Sequence, residues 1–494
     1  METLHLDLKD LTPDTPRGEF GASAPVFDLH RTGSKPVEGF CAQRRRSRHF
    51  NAFLSGAIVL TLSACSLAPT YQRPDVAIPN AWSSVSDVGA SDEPSTTPFW
   101  RELGSADLNR LIELALAQNL DLEAALYRID QARAQAKVAG APLYPTVNAS
   151  GSSSRTVQDS NDINSARGGS SVSYEVDLWG KNRNQAKSAD YRAEASQFDR
   201  EALRLVVTAD ATNFYTQILS LNDRIRIAQF NLKNAEEILR IIEARFAQGA
   251  VSGLEVSQQR VAVNNFRTTL TSLIEQQATT ANALAILLGL APQNFSTPSA
   301  ELASVKIPRV NLTPPADLLT ERPDIESAEA GLRAVNADIA AARAAFFPSL
   351  TLGLDATIAA GFGNPAAAAT SLAANLLAPI FSGGRLTGNL ENVTARQKEL
   401  AAQYQKTVLT AFREVEDALA ALKSANERAV LSRQTVTESQ NAYDIATARF
   451  NAGAIDYLTL LETQRSLYQA QDNQISINQG QLSSFVLLRK ALGS

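Results

Sequence analysis

The stretch "ARFAQGAVSGLEVSQQR" (244–260) returns about 204 residues later as "ARFNAGAIDYLTLLETQR" (448–465), with Arg245 on Arg449, Phe246 on Phe450 and Gly249 on Gly453. A second match runs from "AQNLDLEAALYRIDQARAQAKVAGAPLYPTVNASG" (117–151) to "LLTERPDIESAEAGLRAVNADIAAARAAFFPSLTLGL" (318–354) at a spacing of about 203, placing Asp121 on Asp324, Ala134 on Ala337 and Pro145 on Pro348. The ends agree as well, since Leu288 and Gly289 fall on Leu492 and Gly493. Three matches in register mean that one unit of about 200 residues stands twice in tandem.

Each copy reads helix, strand, turn, strand, long helix, turn, long helix. Val207, Ala211, Phe214, Ile218, Leu221, Ile225, Ala228, Leu232, Ala235, Leu239, Ile242 and Phe246 recur at alternating spacings of four and three. That average is the coiled-coil period. The second copy repeats it with Val408, Phe412, Val415, Leu419 and Leu422. A helix over 185–247 would be about 95 Å long at 1.5 Å per residue. Gly249 and Gly453 suit the left-handed caps at which two hairpins turn back.

The strands carry a different period. In "SLTLGLDATI" (349–358), Leu350, Leu352, Leu354, Ala356 and Ile358 share one face and Ser349, Thr351, Gly353, Asp355 and Thr357 the other. "SVSYEVDLW" (171–179) sets Val172, Tyr174, Val176 and Leu178 against Ser171, Ser173, Glu175 and Asp177. This alternation suits a barrel with lipid outside and water within, and equally a soluble half-buried sheet. Two further strands, one from 145 and one ending at Phe381 in "SLAANLLAPIF", alternate less clearly. The tips near "DSNDINSARGG" and "AGFGNPAAAATS" are polar or small. Four strands cannot close a barrel, since small barrels use about eight. A tube therefore demands several chains.

The N-terminus supplies an address. Arg44, Arg45, Arg46 and Arg48 precede an apolar run over 52–62 and then "LSAC", ending at Cys65. A basic region, a short apolar region and small residues make a secretory leader, too short to span a bilayer. Residues 1–43 fit no part of such a leader and are expected to reflect a start placed too early, with the true one near Val37. The expected division is 1–64 as extension and leader, 65–100 as a lipid-anchored segment, and 101–295 and 296–494 as the two repeats. Prolines at 69, 74 and 79, and at 292, 298, 308, 314 and 315, mark two non-helical connections.

All three histidines and both cysteines, Cys41 and Cys65, lie at or before position 65, and no methionine follows Met1. No Ser-His-Asp or Cys-His arrangement can form beyond Cys65. The expectation is no enzyme, no metal site and no cofactor. The first 64 residues hold 8 of the 46 basic and 7 of the 51 acidic residues, which leaves 38 basic against 44 acidic, a mild acidity that argues against nucleic acid.

These residues resemble the TolC-like outer-membrane efflux proteins, in particular the OprM/NodT lipoprotein branch. The resemblance rests on Cys65, "PTYQRPDVAIPNAW" (69–82), "FWRELGSADLNRLIELALAQNLDL" (99–122), "SYEVDLWGKNR" (173–183), "LLTERPDIESAE" (318–329), "APIFSGGRL" (378–386) and "ARFNAGAIDYLTLLETQRSLYQAQ" (448–471). It implies an α+β membrane protein that forms, as a homotrimer, a twelve-stranded barrel continued by a long helical tunnel through the periplasm. Partners would be a periplasmic adaptor and an inner-membrane pump of the resistance-nodulation-division type. Cys65 would carry the covalent lipid in the outer membrane, several acyl chains making the anchor stable. The cargo would be small molecules such as drugs. The rivals are a lipid-anchored coiled-coil scaffold and a duct for type I protein secretion.

The resemblance also places a gate where the long helices turn back, over 249–255 and 453–462. Glu462 matches the family's aperture acid, and Arg465 matches a basic residue near it. Glu255 stands where the family often has Asp. On a threefold axis each acid becomes a ring of three carboxylates, which attracts cations. Asp456 and Tyr457 are placed to bridge to the neighbouring hairpin. Glu175, Asp177 and Asp355 are the expected barrel-lumen residues, and Trp179 and Phe381 the expected interfacial aromatics.

Overall fold

The computed structural model describes residues 69–83, 97–158, 161–310, 312–361 and 366–494, all within one compact unit, Thr61–Ser494. Residues 1–64, Cys65 and parts of both expected hairpin tips lie outside the described residues.

The first copy runs α1 (Ala106–Gln118), α2 (Leu120–Gly140), β1 (Thr146–Gln158), β2 (Asn161–Val176), α3 (Lys181–Ala247) and α4 (Gly253–Leu287). The second runs α5 (Pro323–Ala344), β3 (Ser349–Gly361), β4 (Ala367–Leu377), α6 (Arg385–Asn451) and α7 (Tyr457–Ala491). The duplication is exact in length where it matters: α3 and α6 have 67 residues each, α4 and α7 have 35 each. At 1.5 Å per residue these are rods of about 100 and about 50 Å. Of the twelve positions in the periodic stripe on α3, eleven are buried or half-buried; Phe246, at the end, is 49% exposed.

All four of these long helices stop the same way. Gly249, Gly453, Gly289 and Gly493 adopt φ between 71° and 82°. In the first hairpin the Gly249 N–H donates to Phe246 O (2.9 Å) and the Ala250 N–H to Arg245 O (2.9 Å); in the second, Gly453 and Ala454 donate to Phe450 O (3.0 Å) and Arg449 O (2.9 Å). These paired bonds satisfy the last carbonyls of each helix. Gly289 and Gly493 are needed for closeness as well. A Cβ there would stand 2.3 Å from Gln118 O and 2.7 Å from Glu321 O respectively.

Each copy is pinned at those same ends by the residue that precedes its α2 or α5. Asn119 caps α2, accepting from the Leu122 N–H (2.9 Å), and its Nδ2 donates to Leu287 O (2.8 Å). Arg322 does this with charge. It donates to Ala491 O (3.0 Å), pairs with Asp324 (2.7 Å) and reaches Glu414 (2.8 Å), while remaining only 8% exposed.

The main core gathers here, around the middle of α3 and α6. Tyr215, Ile218 and Leu219 meet Val408, Val415 and Leu419, with Phe99, Leu108 and Ile112 from the α1 region and Leu284, Phe485 and Val486 from α4 and α7. Both proline-marked connections lie on this core. The linker between copies donates Leu302 N–H to Asp223 (3.1 Å) and accepts from Asn222 at Pro298 O (2.8 Å). The strap over 69–83 is tied at Pro69 O by Asn336 (2.9 Å), at Arg73 by Glu329, and at Trp82, whose Nε1 donates to Thr313 O (2.8 Å).

The four strands form one antiparallel sheet in the order β1-β2-β3-β4, with β1 and β4 as its edges. Register confirms the two faces. One row across all four strands is Val147, Val172, Leu354 and Leu372; the adjacent row is Asn148, Ser171, Asp355 and Ser371. Leu372 is 82% exposed and Val147 70%. Strands of 11 to 16 residues meet or exceed the 9–11 or so that a bilayer requires. Among the described residues no helix is long and apolar enough to cross a membrane.

Three sequence expectations shift. Much of "DSNDINSARGG" is strand, because β2 begins at Asn161 and its small and polar residues pair with β1 from Asn161 and with β3 from Ser165 onward. The strand expected to reach Trp179 ends at Val176, which removes Asp177 from the sheet. Its carboxylate instead accepts from the Asn182 N–H (3.1 Å) and the Arg183 N–H (2.8 Å), opening α3. Trp179 stacks on Phe347 (4.7 Å) and donates to Pro348 O (2.8 Å). The strand expected to end at Phe381 ends at Leu377, and Phe381 is 91% exposed beyond it.

Candidate functional site

At the far end of the long helices, the two turns pack side by side. Ile242 on α3, Val256 on α4, Ala446 and Phe450 on α6, and Tyr457, Leu460 and Leu461 on α7 form a separate small core. The Arg245 guanidinium sits over the Phe450 ring at 4.9 Å, joining the last turns of α3 and α6.

Two of the expected gate acids are engaged in helix caps. Ser252 caps α4 and accepts from the Leu254 N–H (3.2 Å), while Glu255 reaches back to the Ser252 N–H (3.0 Å) and hydroxyl. This is the reciprocal capping box, written in the sequence as Ser-x-x-Glu. Hydrogen bonds from the Ser252 side chain and the backbone hold the Glu255 carboxyl below its ordinary range. Asp456 caps α7, accepting from the Thr459 N–H (2.9 Å) and hydroxyl (2.6 Å), and those bonds hold its carboxyl low as well. Both acids keep a full negative charge and both are tied to their own turns.

Tyr457 is buried, and its hydroxyl donates across to Gln259 on α4. Gln259, itself 0% exposed, passes a bond on to Ala235 O on α3 (2.6 Å). One polar chain thus joins the second turn to both helices of the first hairpin. Burial pushes the Tyr457 phenol above its usual range. Two turns further along, Gln464 donates to the Tyr468 hydroxyl (2.7 Å), whose ring meets Phe266 edge-on at 5.0 Å. Burial pushes Tyr468 up to about 12.

Gln259 and Gln464 were not singled out in the sequence. Their signal is a polar residue where the heptad asks for an apolar one: Gln259 sits between Val256 and Val263, Gln464 between Leu460 and Leu467.

Glu462 and Arg465 lie one to two turns into α7. They are 3.2 Å apart at i,i+3, with side chains 59% and 67% exposed. Arg465 also lines a cleft of about 520 Å³ between α3, α4 and α7, which Arg224 and Asp472 close with a two-pronged pair at 2.7 and 3.1 Å. At the other end of the molecule, Glu175 and Asp355 stand on the polar face of the sheet, Glu175 pairing with Lys181 at 2.6 Å. Cys65 is outside the described residues.

The family profile described as "Outer membrane efflux protein" matches residues 111–290 and 315–494. The chain is 38% identical over 453 residues to the pyoverdine export outer membrane protein OpmQ of Pseudomonas aeruginosa, covering 88% of this chain and 94% of that one. It is 32% identical over 450 residues to the toluene efflux pump outer membrane protein TtgC of Pseudomonas putida, covering 87% and 93%. The solved structure of the outer-membrane channel OprN superposes with a TM-score of 0.80 at 26% identity, over 87% of this chain and 99% of that one.

Proposed function

The chain belongs to the outer membrane efflux protein family, and from that premise we propose how it works as a duct. It is an efflux channel of the outer membrane. Three copies close it. Each sheet ends in two unpaired edges, β1 and β4, which a neighbour of the same kind satisfies. Twelve strands then make a barrel whose apolar rows face lipid and whose polar face, with Asp355 and Glu175, faces water. The observation that carries this reading is the sheet itself: a four-stranded antiparallel sheet with one apolar face exposed, standing on helices far longer than a soluble domain needs.

Below the barrel the long helices form the tunnel, and the paired turns at their far end form its gate. Glu462, exposed and free of any cap, is the acid that forms the ring at the opening. Glu255 and Asp456 serve the gate by holding the two turns in shape, and Tyr457 with Gln259 holds the turns to each other. A periplasmic adaptor and an inner-membrane pump of the resistance-nodulation-division type supply the drive, and Cys65 carries the lipid. The cargo is small molecules, in keeping with relatives named for pyoverdine export and toluene efflux. A coiled-coil scaffold would leave the sheet's apolar rows without a partner.

The test is blockade by a trivalent cation applied from the side of the turns to the reconstituted channel. Glu462→Gln should weaken the block by about tenfold, because three facing carboxylates lose their charge together. Unchanged block and unchanged cation preference would remove Glu462 from the gate.

A further inference from the structure

The helices meet the sheet at four junctions, 136–145, 177–185, 340–348 and 378–389. Together these stretches hold five cations, Lys137, Lys181, Arg183, Arg343 and Arg385, and one acid, Asp177. Asp177 is occupied within the fold, pairing with Arg183 (3.2 Å) and capping α3 with its side chain 9% exposed. Lys181 pairs with Glu175 on the sheet (2.6 Å). Lys137 and Arg385 are exposed and have no ion-pair partner among the described residues, and the same holds for Lys187, one turn below Arg183. The nearest exposed acids on the two long helices, Asp190 on α3 and Glu391 on α6, lie farther from the sheet than Lys187 and Arg385. Neither helix has an acid in its first turn, where the helix dipole favours one and disfavours a cation. The cations gain nothing there from their own helices.

At this level the apolar face of the sheet runs out. Its last row is Val176, Leu350 and Leu376, and beyond it Tyr144, Ile380 and Phe381 are 72%, 93% and 91% exposed. The strap marks the same level independently. Asn336 holds Pro69 O (2.9 Å) eight residues, or about 12 Å, short of the end of α5 at Ala344. Cys65 is four residues from Pro69 and therefore within about 14 Å of it. That reach just spans the drop, so a lipid on Cys65 puts the bilayer surface at the junctions. Lys187 lies on the same side. It lines a cleft of about 280 Å³ with Pro69 and Tyr71, and its ammonium is 5.7 Å from the centre of the Tyr191 ring.

We propose that this band selects anionic phospholipids from the periplasmic leaflet of the outer membrane. The unpaired cations Lys137, Lys187 and Arg385 take the phosphates, and the exposed apolar residues above them lie among the acyl chains. A basic residue beside a membrane surface favours an anionic headgroup by about fivefold. In a zwitterionic headgroup the amine offsets the phosphate; in phosphatidylglycerol the phosphate charge stands alone. A collar of such lipids fixes the height of the duct in the bilayer, with the strands above it and the tunnel below.

This inference rests on the outer-membrane duct proposed above, and the test separates the two. The full chain is reconstituted in vesicles of equal phosphatidylglycerol and phosphatidylcholine with matched acyl chains. It is then extracted into polymer-bounded discs, and the retained lipid ratio is measured by mass spectrometry against discs from empty vesicles. The parent should enrich phosphatidylglycerol about threefold, the fivefold preference at each cation being diluted by lipid that touches none. The triple variant Lys137→Gln, Lys187→Gln, Arg385→Gln should return to the empty-vesicle ratio. Added salt should move the parent the same way, and that arm needs no variant. Lys137→Arg with Lys187→Arg should keep the enrichment. So should Lys233→Gln, Arg240→Gln and Arg433→Gln together, which remove as much charge from the halves of α3 and α6 nearer the turns. An unenriched parent, a parent indifferent to salt, an enriched triple variant or equal loss in either control would overturn the headgroup selection. A parent that alkaline carbonate strips from the vesicles would overturn the duct reading instead.

Discussion

The middle of the helical body and its turn end are built from the same four long helices, yet they are held in different ways. The middle is wrapped: α1, the strap, the linker and the last turns of α4 and α7 all lie on α3 and α6, and Arg322 clamps three elements at once. At the turn end seven buried side chains and one polar chain through Tyr457 and Gln259 do the holding. Local opening free energy follows buried apolar contact. The contrast therefore assigns rigidity to the middle and movement to the turns, which is the division a gated tube requires.

The comparison breaks most visibly at its strong side. Phe485→Ala, at a 0% exposed position in the main core, should cost about 3–5 kcal/mol and lower the thermal midpoint of the whole helical body by circular dichroism. Arg322→Ala should cost about 3 kcal/mol, because Asp324, Glu414 and the Ala491 carbonyl lose a common partner at a nearly buried site. The matching change in the other copy, Asn119→Ala, should cost only about 1–2 kcal/mol, its bonds being uncharged. That difference, read by the same melting experiment, would sharpen the asymmetry between the copies.

Changes at the turns should act on function before stability. Tyr457→Phe should cost about 1 kcal/mol and raise open probability in single-channel records, with the melting midpoint of the body unchanged. Ser252→Ala should cost a similar or smaller amount, about 1 kcal/mol, and speed proteolysis near 248–256.

The smallest effect is that of pH. Glu255 and Asp456 are held below their ordinary range, so their stabilising bonds are fully present above the unfolded carboxylate range, about pH 4. That contribution is lost as pH falls through the lower folded values. Acid should thus lower the hydrogen-exchange protection factors of both turns, and Ser252→Ala should weaken that response in the first turn only.

The helical half of the fold was open to reading because its signals are local. The heptad spacing names the buried face of α3, and Gly249 and Gly453 name the turns. The strands were read less well. Asn161 to Gly169 carry little alternation, and they are strand because β1 pairs with them throughout and β3, far away in sequence, pairs with them from Ser165 onward. Asp177 was misassigned for the opposite reason: its parity fits the polar face, but its carboxylate ends the strand by capping α3. The Ser252-x-x-Glu255 box was visible in the sequence as a cap and competes with the ring reading of Glu255. The bond between Tyr457 and Gln259 joins residues 198 positions apart, and no local pattern announces it.

The central claim is that three copies enclose a continuous water-filled path with a closable end. Its most direct test is single-channel current from the purified, membrane-inserted trimer in a planar bilayer. The account predicts discrete, long-lived steps with a preference for cations, opening more often in Tyr457→Phe. Silence from folded trimers of the parent, of Tyr457→Phe and of Glu462→Gln alike would contradict it.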